Sequence, residues 1–170
     1  ALKEQGDLTA AINSYNIALK LKPVFSEAYN NLGNALKEQN ELTAAIISFK
    51  KALKFDPQNP DIHNNLGNAF KENGDIIEAI SSYNKSLTLK SYNPEARLNL
   101  SIAMLLCGDY KNGLEGYEWR SKQKKTPSKP HALPDCSPWN GEQLKQQSKI
   151  LLVTEQGLGD TLLFMRYVLA

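Results

Sequence analysis

The chain has 170 residues, 41% of them hydrophobic and 22% charged, with a formal net charge of +2. This composition is typical of a soluble protein, and no apolar run approaches the roughly 18 residues that a membrane span requires. Two cysteines, Cys107 and Cys136, are too few for a disulfide framework and too isolated for a metal site. We therefore expect free thiols in a reducing compartment, a cytoplasmic location, and no metal or cofactor.

The charge is unevenly divided along the chain. Residues 1–119 contain 12 Lys and Arg against 14 Asp and Glu, a balance of −2, whereas residues 120–170 contain 8 against 4, a balance of +4. The excess lies mainly at Arg120, Lys122, Lys124, Lys125 and Lys129. Such a run is typical of a solvated linker, and because no aromatic residues are interleaved with it we expect no nucleic-acid partner.

A 34-residue period organises most of the chain. The pair Leu32-Gly33 recurs as Leu66-Gly67 and then as Leu100-Ser101. Three further columns keep the same spacing: Ala11, Ala45, Ala79 and Gly113; Tyr15, Phe49, Tyr83 and Tyr117; and Ala18, Ala52 and Ser86. This pattern is typical of stacked helix–turn–helix units, which build extended binding surfaces rather than enclosed active sites.

In chain order, the period predicts a partial repeat over residues 1–25 and full repeats over 26–59, 60–93 and 94–122. First helices are expected near 26–39, 60–73 and 94–107, and second helices near 8–21, 42–55, 76–90 and 110–122. The helix stops and N-caps are expected at Gly6-Asp7, Gly74-Asp75 and Gly108-Asp109. Pro23 and Pro57 follow second helices, and Pro60 and Pro94 open first helices, where a missing N–H costs nothing.

The small and aromatic columns have a packing role. Gly33 and Gly67 are expected to let each first helix approach the second helix of its repeat, at Ala45 and Ala79. The column that contains Phe49 is expected to fill the space between neighbouring helices, so these residues form the core rather than a functional site.

Residues 1–122 resemble tetratricopeptide repeats. The resemblance implies an all-α fold, an α-solenoid that winds as a right-handed superhelix. It also implies that the first helices line a concave groove that binds peptides or protein segments.

The candidate groove-lining residues are polar and recur with the repeat. They are Asn30, Asn31, Asn34, Lys37, Asn64, Asn65, Asn68, Lys71 and Asn99. An asparagine side chain both donates and accepts hydrogen bonds, so a series of them can hold a peptide backbone whatever its sequence. The column Asn31, Asn65 and Asn99 resembles the asparagine ladder of O-linked N-acetylglucosamine transferases. The alternative is that asparagine is merely tolerated on a solvated face.

The fourth repeat departs from this pattern. In place of the earlier asparagine, lysine and glutamate residues it carries Leu98, Ile102, Leu105 and Leu106. An apolar stripe of this width has to be covered. Arg120 replaces the small residue on which another repeat would stack, so the array is expected to end here. We expect residues after 129, including Leu133, Pro134 and Trp139, to dock on the apolar face.

Residues 123–148 contain four prolines, from Pro127 to Pro138, which predict an extended linker. Residues 149–170 predict a short βα unit: an apolar strand from Lys149 to Val153, a glycine loop ending at Asp160, and a helix to Ala170. The loop lacks the third glycine of a dinucleotide fingerprint and the Lys-Ser/Thr pair of a P-loop.

A second resemblance covers this C-terminal part. The motifs are Tyr117-Glu118-Trp119-Arg120, Pro138-Trp139-Asn140-Gly141 and Glu155-Gln156-Gly157-Leu158-Gly159-Asp160-Thr161, followed by Phe164 and Arg166-Tyr167. They resemble bacterial proteins that join tetratricopeptide repeats to a heptosyltransferase-like glycosyltransferase domain of the GT-B fold. The resemblance implies a nucleotide-sugar donor in an intact parent protein and a catalytic base at Asp160. The alternative for Asp160 is a helix cap.

Three functions follow as hypotheses. The first is a non-catalytic scaffold that binds protein segments through its concave face. The second, implied by the C-terminal resemblance, is the N-terminal part of a glycosyltransferase whose repeats present the acceptor. Ala1 falls within a repeat, and the single βα unit lacks everything that would bind the nucleotide sugar. The third is self-association through the fourth repeat. We expect no membrane partner and no catalysis from these 170 residues alone.

Overall fold

The protein is described by a computed structural model, which covers residues 2–119, with side chains from residue 7 onward. Within this range the chain forms seven helices: α1 (Leu2–Leu21), α2 (Ser26–Glu38), α3 (Leu42–Phe55), α4 (Pro60–Asn73), α5 (Ile76–Leu89), α6 (Pro94–Leu106) and α7 (Tyr110–Tyr117). Each helix packs against the next one along the chain, and α2, α4 and α6 also contact one another in sequence. The predicted all-α solenoid of helix pairs is confirmed.

The partial repeat differs from the prediction. Gly6 does not stop a helix and Asp7 does not begin one, because α1 runs without interruption from Leu2 to Leu21. Continuing the helix through Gly6 and Asp7 keeps the backbone groups of this stretch hydrogen-bonded.

The turns between paired helices use left-handed residues. Gly74 and Gly108 have φ values of 90° and 88°, as expected of glycine after a helix, and Asn40 takes the same role in the second repeat with φ of 64°. Asp109 caps α7 by accepting from the backbone N–H of Asn112 at 3.3 Å. Asp75 occupies the predicted N-cap position of α5, but the predicted side-chain cap is wrong. Its carboxylate accepts from the Asn73 side chain at 2.7 Å and from no backbone N–H of the helix.

Two asparagines, which the sequence analysis did not single out, cap the first helices. Asn59 Oδ1 accepts from the backbone N–H groups of Asp61 at 3.1 Å and Ile62 at 3.3 Å. Asn93 Oδ1 accepts from Ala96 N–H at 3.2 Å. Each precedes a proline in the first turn, so cap and proline together begin α4 and α6.

The core follows the predicted columns. Phe49 and Tyr83 are fully buried, as are Ala45 and Ala79. The reason for the glycines is local: a Cβ on Gly33 would lie 2.7 Å from the Phe49 ring, and one on Gly67 would lie 2.6 Å from the Tyr83 ring. The glycine of each first helix therefore makes room for the aromatic ring of its own repeat.

The fourth repeat solves the same packing problem differently. Ser101 stands in the column of Gly33 and Gly67, and the small residue moves to the facing helix as Gly116, where a Cβ would lie 2.8 Å from Ser101 Cβ. Gly113 replaces the alanine of earlier repeats, and a Cβ there would lie 2.7 Å from Leu105 Cδ2. The larger side chains of α6 are thus accommodated by smaller residues on α7.

Residues 2–119 contain neither a membrane-spanning helix nor a cluster of side chains suited to a metal ion. None of the helices formed by residues 2–119 combines the length and hydropathy of a membrane span. Nor do His, Cys, Asp and Glu side chains in that range come together in groups of three suited to a metal ion.

Candidate functional site

The predicted groove-lining residues lie on three first helices that are neighbours in space. On α2, Asn30, Asn34 and Lys37 are spaced by four and three residues and so share one face, and their equivalents on α4 repeat the arrangement. Contacts between α2 and α4, and between α4 and α6, join these faces into one surface. We call the surface formed by α2, α4 and α6 the first-helix face, and the nine candidate residues lie on these three helices.

Asparagine side chains bridge adjacent helices on the first-helix face. Asn65 Nδ2 donates to Asn30 Oδ1 at 3.1 Å, which joins α4 to α2. Asn99 Nδ2 donates to Asn64 Oδ1 at 3.2 Å, which joins α6 to α4. Asn64 is buried and also donates to Glu95 Oε1 at 3.3 Å. These bonds hold the amides in place, and because a side-chain amide has two N–H groups and two lone pairs on its oxygen, each retains further hydrogen-bonding capacity.

Each of the two asparagine–asparagine bonds joins residues 35 apart, one more than the repeat. Members of the column Asn31, Asn65 and Asn99 therefore do not bond to one another. Asn65 and Asn99 instead donate to the neighbouring column, to Asn30 and Asn64 respectively. Asn31 and Asn34 are half-buried and, in the described part of the chain, neither amide has a hydrogen-bond partner.

The Asn68 side chain bonds to a residue of the core. Its Oδ1 accepts from the hydroxyl of the buried Tyr83 at 2.7 Å. Burial raises the pKa of Tyr83 well above its ordinary value of about 10, and the negative charges of Glu72 and Glu95 raise it further, so the hydroxyl remains a donor. In the second repeat Phe49 stands in place of Tyr83, which is why Asn34 lacks the equivalent bond.

The lysines of the first-helix face differ in their partners. Lys37 Nζ lies 3.1 Å from Glu72 Oε1, an ion pair that joins α2 to α4 and again spans 35 residues. The residue 35 positions after Lys71 is Leu106, which has no charge to pair with the lysine. Over residues 7–119, Lys71 accordingly forms no ion pair.

The apolar residues of α6 fall into two groups. Leu98, Ile102 and Leu105 are half-buried, and Leu105 lies against Gly113 of α7. Leu106 is 62% exposed. The segment expected to cover this face, residues 130–139, lies outside the described residues, as do Arg120, the linker and Asp160. Their roles, and the glycosyltransferase resemblance that depends on them, stay predictions.

Trp119 is described, and it packs within the fourth repeat. The Arg97 guanidinium lies 4.6 Å from the centre of its ring, and the Tyr92 ring lies 5.8 Å away at an edge-on angle. Both contacts are typical of aromatic packing at a helix end.

Two family models match the chain. A model described as "TPR repeat" matches residues 1–40 and 33–74, and one described as "Tetratricopeptide repeat" matches residues 60–93. Together they cover residues 1–93, more than half of the 170 residues. The chain belongs to the tetratricopeptide repeat family.

Solved structures agree with this assignment of the fold. A crystal structure of MamA is 24% identical with a TM-score of 0.65, and the match covers 72% of this chain and 71% of that one. A second crystal structure of MamA protein is 26% identical with a TM-score of 0.59, covering 72% and 70%. MamA residues 41-end from Desulfovibrio magneticus RS-1 are 20% identical with a TM-score of 0.64, covering 72% of both chains. The comparison with curated proteins returned no match.

Proposed function

We propose that this tetratricopeptide repeat protein is a scaffold that binds an extended protein segment across its first-helix face. The supporting observation is the amide network, two separate bonds in which Asn65 joins α4 to α2 through Asn30 and Asn99 joins α6 to α4 through Asn64. The four asparagines held by these bonds lose little further side-chain entropy when the surface binds, so most of the ordering cost falls on the free residues named next.

Within this face, Asn31, Asn34 and Lys71 are the residues proposed to contact the segment directly. Their polar groups are not committed to neighbours over the described range, whereas Lys37 and Asn68 are. The two amides suit a peptide backbone, which alternates donors and acceptors, and Lys71 suits an acidic side chain of the segment.

The proposal is tested with a peptide selected from a random display library on the full 170-residue chain, its affinity measured by calorimetry. Replacing Asn31 and Asn34 together by alanine removes two proposed hydrogen bonds, and since each contributes about 1 kcal/mol we expect about a tenfold or greater loss of affinity. Asn84→Ala is the control, because Asn84 is exposed on α5, away from the first helices. Equal affinities for all three proteins would refute the proposed contacts.

A second candidate function is self-association through the fourth repeat. Tyr110 and Leu114 are 65% and 60% exposed, although their equivalents one repeat earlier, Ile76 and Ile80, pack against the core. Light scattering on the full chain and on the Leu114→Glu variant tests it. We expect the unaltered chain to have a mass above that of the monomer and the Leu114→Glu variant to have the monomer mass. A strict monomer in both samples would exclude this function.

A further inference from the structure

A groove lies on the side of the solenoid formed by its second helices. It runs between α1 and α3, is floored by α2, and has a volume of about 760 Å³. Leu19 and Leu32 form a buried apolar base, and Ile17, 59% exposed, stands at the rim. We call it the outer groove. Its volume is within the range of about 300–1,000 Å³ typical of ligand pockets.

The outer groove is positively charged. Lys20 of α1 and Lys51 of α3 line it, and no acidic residue does so. In the part of the chain that the structure describes, neither ammonium forms an ion pair. Residues 1–119 carry a net charge of −2 from 12 basic and 14 acidic residues, so this basic groove opposes the overall sign of the repeats.

One of the two charges is held in place. Lys51 Nζ lies 5.7 Å from the centre of the Tyr29 ring, and Tyr29 is stacked on Phe55 with ring centres 5.8 Å apart. A cation positioned over an aromatic ring needs little further ordering to meet an anion.

Two exposed amides complete the groove and are specific to it. Asn13 and Asn16 line the α1 side, and their side chains have no hydrogen-bond partner among the described residues. One repeat later these positions are Ile47 and Lys50, and Lys50 lies over the Phe70 ring at 5.3 Å. The combination of free amides with two lysines therefore occurs between α1 and α3 but not between α3 and α5.

We propose that the outer groove binds an acidic peptide segment that also carries apolar side chains. Lys20 and Lys51 pair with its carboxylates, Asn13 and Asn16 hydrogen-bond to its backbone, and an apolar side chain rests on Leu32 and Tyr29. A free inorganic anion would use the two lysines but gain nothing from the apolar base, which is why a peptide is the favoured occupant. This site is separate from the first-helix face, so the protein would hold two segments at once.

The probe is a fluorescein-labelled decapeptide of alternating glutamate and leucine, titrated with the full chain at about 0.15 M ionic strength, where the Debye length is about 8 Å, and followed by fluorescence anisotropy. Replacing both groove lysines (Lys20→Glu and Lys51→Glu) reverses the charge at the site, and we expect the affinity to fall by about tenfold or more. The matched control replaces Lys54 and Lys85 by glutamate. Both are exposed lysines on α3 and α5, and the net charge changes by the same amount.

The expected result is a large loss for the groove variant and a change of about threefold or less for the control, since Lys54 and Lys85 do not line the groove and would not contact the bound carboxylates. Equal losses in the two charge-reversed proteins, or no binding by the unaltered chain, would overturn the proposal. Displacement of the peptide by inorganic phosphate at equal concentration would show a simple anion site and overturn the peptide assignment. Circular dichroism on each variant confirms that the helices are retained.

Discussion

At the scale of single residues, the first-helix face and the core share side chains. Asn68 was predicted to line the groove, yet its carbonyl accepts from the Tyr83 hydroxyl, which is fully buried. Sequence columns identified both residues but could not link them, because the bond joins different columns of the two helices of one repeat. Phe49 in the second repeat shows that the ring alone satisfies the packing.

The substitution Tyr83→Phe removes the hydroxyl and leaves the ring, so it measures the contribution of the hydrogen bond to Asn68 alone. The ring still fills its place against Gly67, whereas Asn68 loses its donor, and we expect a loss of about 1 kcal/mol in the free energy of unfolding at neutral pH. Urea denaturation followed by circular dichroism measures it, with Tyr110→Phe as the control at an exposed tyrosine. A neutral Tyr83→Phe substitution would mean that the hydrogen bond contributes nothing.

The same variant changes the pH dependence. The folded-state pKa of Tyr83 is raised, so the unfolded chain releases this proton first, above about pH 10. The stability contributed by the protonated tyrosine is therefore complete below pH 10 and is lost as the pH rises toward the folded-state pKa. Between pH 9 and pH 11, the free energy of unfolding should fall less for Tyr83→Phe than for the unaltered chain. An equal fall in the two proteins would contradict the account.

At the scale of helices, the sequence predicted the boundaries to within a residue or two wherever the structure describes both ends of a full repeat. The period and the glycine and proline signals carry that information, as at Gly74 and Pro60. The amide network escaped prediction for a geometric reason: each bond spans 35 residues, so aligning positions 34 apart places donor and acceptor in different columns. The caps at Asn59 and Asn93 were not predicted because the glycine–aspartate signal, which marks the starts of second helices, is absent before the first helices.

Helix capping provides a direct test. Asn93 accepts a backbone hydrogen bond at the start of α6, so Asn93→Ala should cost about 1 kcal/mol. Asp75 stands at the equivalent position of α5 but caps no backbone N–H, so Asp75→Ala should cost less than about 0.5 kcal/mol. Thermal or urea unfolding of the two variants compares them. A larger loss for Asp75→Ala would reverse the assignment of the caps.

At the scale of the whole molecule, the first helices form a graded surface. Polar residues dominate it on α2 and α4, and apolar residues such as Ile102 and Leu106 replace them on α6. A segment lying along this surface would meet amides and Lys71 first and apolar side chains last. The gradient could be read from the sequence, but the residues left free by the network could be found only from the contacts between repeats.

The most direct test of the central claim is a map of amide chemical shifts of the isotope-labelled full chain, recorded with and without the peptide selected on it. The account predicts that the largest changes fall on α2, α4 and α6, centred on Asn31, Asn34 and Lys71. Changes confined to α3 and α5, with the first helices unaffected, would contradict it.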